Sequence, residues 1–136
     1  MATGLVGYSG FVGQNLMNQY EFTNLYNSKN YRELQGKSFE LLVCAGISAE
    51  MWLANNSPKE DLSRILELVE VLKKTHCEKI VLISTTAVYK SAVKNTNEDS
   101  QNEYEEDIAY GANRRRAEIE LQNHFKDRCL ILRLPA

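Results

Sequence analysis

The sequence predicts an α/β fold: a doubly wound, Rossmann-like parallel sheet of about five strands in the order 2-1-3-4-5. Three observations carry this expectation. Short apolar, β-prone runs alternate with segments of helical period, with no internal repeat and no linker between them. The buried-type runs Glu40–Ala45 and Lys79–Ser84 lack the polar alternation of a half-exposed antiparallel strand. A glycine-rich turn, Gly7-Tyr8-Ser9-Gly10-Phe11-Val12-Gly13, joins the first apolar run to the first helix.

The elements follow in order. Residues 4–8 form the first strand and 11–20 the first helix. Phe22–Tyr26 form the second strand, followed by the polar run Asn27-Ser28-Lys29-Asn30. Only a turn of helix near Tyr31–Gln35 fits before the third strand, Phe39–Ala45. Residues 48–57 are loop or irregular helix containing Met51 and Trp52, which either line the site or plug the core. Ser57 and Pro58 supply a cap and a first helical position. The helix they open runs to about Lys74, with Leu62, Ile65, Leu66, Val69 and Leu72 on its buried side. Lys79–Ser84 is the fourth strand, and residues 90–107, polar and aperiodic, are a surface loop near the site. Ala109–Phe125 is the last long helix, and Cys129–Leu134 the last strand. Right-handed crossovers in such a sheet bring the strand ends, and any ligand, to one crevice.

Composition narrows the function. The 136 residues suit one domain, and 43% apolar with 25% charged residues is ordinary for a globular protein. A net charge of −2 offers no general attraction to nucleic acid or an anionic membrane. No apolar run reaches the roughly 20 residues of a membrane span, and no signal sequence opens the chain. Cys44, Cys77 and Cys129 form no C-x-x-C pair, which suits reduced thiols in a cytoplasmic protein. His76 and His124 have no matching ligand cluster, so no metal site is expected.

Three constellations carry chemistry. In the glycine turn, Gly7 allows a conformation closed to side chains, Gly10 leaves room for phosphates, and Gly13 lets helix and strand pack closely. The helix that follows presents free N–H groups and its positive dipole end to a pyrophosphate. Second, Ser84-Thr85-Thr86 places hydroxyls where the fourth strand opens into the crevice. Third, Tyr110 and Arg114 stand four apart at a helix start, on one face. A phenol has a pKa of about 10. A permanent cation one turn away stabilises the phenolate and brings it toward the working range. Each feature has a plainer reading: a tight turn, a strand-capping threonine, a surface pair. Arg114-Arg115-Arg116 reads as a solvated helix end offset by Glu118 and Glu120, in preference to a phosphate patch.

Taken together, the motifs resemble the extended short-chain dehydrogenase/reductase family, the NAD-dependent sugar epimerases and dehydratases. Gly7–Gly13 is similar to that family's TGATGFIG turn and Val81–Tyr89 to its SSaaVYG strand. Ala109–Arg114 is similar to its PYGxSK helix start, and Leu130–Pro135 to its ilRlpnvyG strand. The matches run in the family's order along the whole chain. The resemblance implies Thr85 and Tyr110 as catalytic hydroxyls with Arg114 beside them. It places Gly7, Gly10, Phe11, Val12 and Gly13 around the pyrophosphate of NAD or NADP, with Asn27, Ser28, Lys29, Ala45 and Gly46 completing the cofactor site. It implies a nucleotide-sugar substrate; the stripe on the 58–74 helix is core first, and since such helices pair subunits in the family, part of it is a candidate homodimer face.

Three departures stand out. Arg114 occupies the place of the family's lysine, keeping the charge with a bulkier, planar head. Thr86 and Ala87 replace the Asp-Glu pair of the dehydratases, which speaks against elimination of water. Family members also continue beyond the segment matched here, so the chain is expected to be a cofactor-binding part whose substrate side lies elsewhere. A non-catalytic nucleotide-binding domain is the rival expectation. The acidic residue expected after the second strand is absent, and Asn27, Ser28, Lys29 and Arg32 stand there instead. That corner would tolerate a 2′-phosphate; equally, Lys29 and Arg32 are solvated surface charges.

Overall fold

The computed structural model describes residues 2–90 and 103–135. Five strands form one parallel sheet: β1 (Thr3–Val6), β2 (Asn24–Tyr26), β3 (Ser38–Cys44), β4 (His76–Thr85) and β5 (Cys129–Leu134). Their order is β2-β1-β3-β4-β5, as the sequence predicts. Four α-helices connect or flank them: α1 (Phe11–Gln19), α2 (Met51–Asn56), α3 (Pro58–Lys73) and α4 (Ala109–Phe125).

Several boundaries differ from expectation for identifiable reasons. β1 ends at Val6, not at residue 8, because Gly7 turns the chain with φ +89°. β2 keeps only three residues; Phe22 and Thr23 lie outside it, and Thr23 is tied to Thr3 by side-chain and main-chain hydrogen bonds. β4 begins at His76 rather than Lys79, since Ser38 and Phe39 of β3 pair with His76 and Cys77. Ser57 sits at the N-cap of α3, but its side chain makes no capping hydrogen bond. The buried stripe of α3 is Ile65, Leu68, Val69, Val71 and Leu72, with Leu62 and Leu66 only half-buried. The predicted 90–107 loop falls mostly outside the described residues; its end returns to β4's exit through a Tyr89–Tyr104 bridge.

The core lies between the sheet and the α3–α4 layer, where Leu42, Val69, Ile80, Leu82, Leu121 and Phe125 are almost wholly buried. On β5, Leu130, Leu132 and Leu134 alternate away from this layer and are exposed. Register positions the site. Val6 pairs with Tyr26 on one side and Cys44 on the other, so three strand ends stand level. The glycine turn, Asn27 and Ala45 therefore leave the sheet on the same rim. Cys44 pairs with Leu82, and β4 continues three residues further to Thr85, roughly 10 Å at strand rise.

Candidate functional site

Gly7 follows β1 at φ +89°, and a Cβ there would run into the Ala45 carbonyl and sit 2.8 Å from Gly46 Cα. Its N–H donates to Tyr26 O at 2.8 Å, holding the turn on the β2 side. Gly13 is the buried residue of α1, and a Cβ there would collide with the Gly7 carbonyl. These two glycines are demanded by the protein's own packing. Gly10 is different. A Cβ on it would meet only Gly7 O at an ordinary 3.6 Å, so the fold itself does not require glycine there.

Gly10 caps α1 without any side-chain hydrogen bond, and no acidic residue stands in the first turn. The first intrahelical bond of α1 runs from Gln14 N to Gly10 O at 2.9 Å. The N–H groups of Phe11, Val12 and Gly13 are thus left without intrahelical acceptors at the positive end of the helix. That arrangement fits a pyrophosphate: a main-chain cradle, bare donors, and no Cβ over it.

A cleft of about 780 Å³ opens above this turn. Gly7, Gly10, Phe11 and Val12 line it from β1–α1, Asn27 and Ser28 from the β2 exit, Ala45 and Gly46 from the β3 exit, and Arg114 from α4. Nine of the thirteen residues that the sequence assigns to the site are brought together there, with Arg32 beside them. Gly13, Lys29, Thr85 and Tyr110 are not on the lining. Gly13 packs beneath the turn, and Lys29 is exposed at the rim. Under the cleft floor, burial pushes the Cys44 thiol up to about 11, so it stays protonated and inert at neutral pH.

Thr85 and Tyr110 stand at the end of β4 and the start of α4, off the cleft lining. Thr85 is buried at the end of β4, and its hydroxyl accepts from Ala87 N at 3.1 Å. A Cβ on Gly111 would strike the Ala87 carbonyl, so glycine at this position lets the start of α4 close onto the turn after β4. This close approach sets Gly111, the residue after Tyr110, against Ala87, two residues beyond Thr85. Tyr110 is buried, its main-chain N–H donates to Asn55 Oδ1 of α2 at 2.9 Å, and its phenol makes no hydrogen bond among the described residues. α2, read in the sequence as loop or irregular helix, thereby caps α4. Trp52 and Met51 on it are exposed and neither plug the core nor line the cleft.

Arg114 is not a free cation. Its guanidinium makes a bidentate pair with Asp61 of α3 and donates to Ser48 O at 2.7 Å. It also lies over the ring of Tyr110, 4.2 Å from the centroid, and its side chain is only 3% exposed. The charge that the sequence assigns to the phenol is shared with a carboxylate. Asp61, which sequence reasoning missed, is held by Asn113 as well, at 2.8 Å. The cleft's other arginines are likewise paired to α3: Arg64 with Glu60 at 2.6 Å, and Arg32 with Glu67 at 3.4 Å.

Further along α4 from Tyr110 lies a polar cluster also absent from the sequence reading. Glu118, fully buried, accepts from Ser84 Oγ at 2.6 Å, from Arg115 at 2.9 Å and from Arg133 at 3.1 and 2.8 Å. Arg133 reaches on to the Tyr89 hydroxyl, and Tyr104 stacks on Tyr89 with centroids 5.6 Å apart. The pairing of Arg115 with Glu118 follows helix spacing, but the carboxylate is in the interior, not in solvent. The cluster ties β4, α4 and β5 together at the site's edge.

No protein-family model matches the chain, and no curated protein matches it in sequence. Solved structures do match. They include a UDP-glucose 4-epimerase from Thermotoga maritima, solved with UDP-glucose (15% identity, 98% of this chain and 55% of that one, TM-score 0.72). Another is MoeE5 in complex with UDP-glucose and NAD (16% identity, 96% and 52%, TM-score 0.71). A third is a dTDP-4-dehydrorhamnose reductase from Clostridium acetobutylicum (15% identity, 98% and 52%, TM-score 0.72). The chain spans about half the length of these proteins. Over 96–98% of its length, then, this chain shares the Rossmann-like fold of these sugar-nucleotide epimerase and reductase structures.

Proposed function

We propose that this chain is the dinucleotide-binding part of an NAD(P)-dependent oxidoreductase of the sugar-nucleotide epimerase or reductase type. The observation that carries the reading is Gly10. Nothing in the packing of the described residues forbids a side chain there, yet its absence keeps the cleft open at a helix start whose Phe11, Val12 and Gly13 N–H groups have no intrahelical acceptor. The shared fold of MoeE5, which binds NAD and UDP-glucose, supports the same reading.

A nicotinamide, when bound, supplies hydride exchange with a carbinol carbon of the substrate. The chain's own residues do the rest. The first turn of α1 neutralises the pyrophosphate, and Ala45 and Gly46 let the ligand approach the main chain. Thr85 receives its hydrogen bond from Ala87 N, so its proton is free to be donated to a substrate oxygen. Tyr110, whose phenol has no hydrogen-bond partner among the described residues, exchanges the proton with that oxygen. Arg114, fixed by Asp61, lies against the Tyr110 ring and holds its orientation. A nucleotide sugar is the substrate class, and the rest of its site is supplied from outside this chain.

Titration of the folded protein with NADH and NADPH, followed by nicotinamide fluorescence, tests the reading. Saturable binding of at least one supports it, and binding of neither by folded protein overturns it. A second reading, a nucleotide-binding domain without turnover, is favoured by the pairing of Arg114 with Asp61 and Ser48. Turnover by a longer form of the protein, lost in Tyr110→Phe, would exclude that second reading.

A further inference from the structure

Given a dinucleotide in this cleft, we infer that the rim beyond β2 selects a 2′-phosphate, so that NADPH is preferred to NADH with Arg32 as its partner. The inference rests on the dinucleotide reading and adds the cofactor's identity to it.

Recognition of an unmodified ribose by this fold uses a carboxylate near the end of the second strand to accept from the 2′-hydroxyl. Here β2 ends at Tyr26, and the next residue's side chain is already used. Asn27 Oδ1 accepts from Lys29 N at 2.9 Å and Asn30 N at 3.3 Å, while its amide nitrogen donates to the Tyr8 hydroxyl at 3.3 Å. Asn27 folds the rim rather than facing a ligand. Ser28 lines the cleft, and its hydroxyl has no partner among the described residues. Arg32 lines the cleft next, with its guanidinium 4.7 Å over the ring of Tyr31. Lys29 adds an exposed cation between them. A hydroxyl, a forked cation and a second cation suit a phosphate dianion and offer no carboxylate to a diol.

Arg32 is also available. Its single contact to Glu67 spans 3.4 Å, and the two side chains are 62% and 57% exposed. Such a pair is weak, and a dianion competes with it readily. Glu67 reaches this rim from α3, across the cleft. It is the carboxylate that could instead hold a ribose diol, and the experiment separates the two.

Dissociation constants for NADPH, NADH, 2′,5′-ADP and ADP are measured on the wild-type chain and on Arg32→Ala and Glu67→Gln. Circular dichroism confirms that each variant is folded, as exposed sites predict. We expect NADPH to bind at least about tenfold tighter than NADH, with 2′,5′-ADP ahead of ADP in the same sense. Arg32→Ala should erase that advantage and leave NADH within about twofold. Glu67→Gln, by releasing Arg32, should tighten NADPH and not NADH. NADH binding as tightly as NADPH, or a loss of NADH affinity in Glu67→Gln, overturns the inference while the dinucleotide reading stands. Binding of no nucleotide overturns both.

Discussion

Gly7 and Gly13 are glycines because backbone atoms would occupy the space of a side chain, while Gly10 is one without that need. The two cases predict opposite phenotypes. Gly13→Ala forces its Cβ onto the Gly7 carbonyl and should cost about 2–3 kcal/mol in urea unfolding. Gly10→Ala should change stability by less than about 1 kcal/mol, yet weaken dinucleotide binding by about tenfold or more. A second residue-scale case is Asp61. Removing its charge leaves the buried Arg114 guanidinium uncompensated, so Asp61→Asn should destabilise by about 3 kcal/mol, measured by denaturant melts. The glycine turn was legible because its spacing is local. Asp61 was not, because it lies 53 residues from Arg114 and stands on the polar side of a helix where charges are normally solvated. Gly111 was quoted only as part of a motif; its contact with Ala87 exists only once α4 docks.

At the scale of elements, the alternation of strands and helices was readable, and the ends of α4 and β5 agree with the sequence to the residue. What periodicity left open was which face of α3 meets the sheet, since apolar residues occupy more than one side of it. The fold buries Leu68, which reaches Gly46 beyond β3, and Val71, and leaves Leu62 and Leu66 half-buried. Helices α3 and α4 are joined by Lys73 and Glu120 at 2.8 Å. That pair holds the Lys73 ammonium above, and the Glu120 carboxyl below, their ordinary ranges. The glutamate's contribution is therefore present above its ordinary value of 4.5 and fades as pH falls through its lowered one. The lysine's persists until pH rises past 10.5. Glu120→Gln should flatten the acid limb of a stability-against-pH curve between these values. At the far end of α4, Lys126 adopts φ +59° and ψ −129°, a region costly for a side chain. Lys126→Gly should raise stability by about 1 kcal/mol, read as a higher unfolding midpoint.

At the scale of the molecule, topology follows from handedness and strand order, and the sequence carried both. The level ends of β1, β2 and β3 then gather residues up to 39 positions apart, from Gly7 to Gly46, onto one rim. The Glu118 cluster was hidden because its donors come from β4, α4 and β5, and no local pattern marks a carboxylate for burial. Everything proposed for this chain depends on that rim gripping a diphosphate by its main chain. Amide chemical shifts of isotope-labelled protein, followed as ADP-ribose is added, test it most directly. The largest saturable shifts should fall on the amides of Gly10, Phe11, Val12 and Gly13, and Gly10→Ala should suppress them. Shifts confined to other parts of the sheet, with those four amides unmoved, would contradict it.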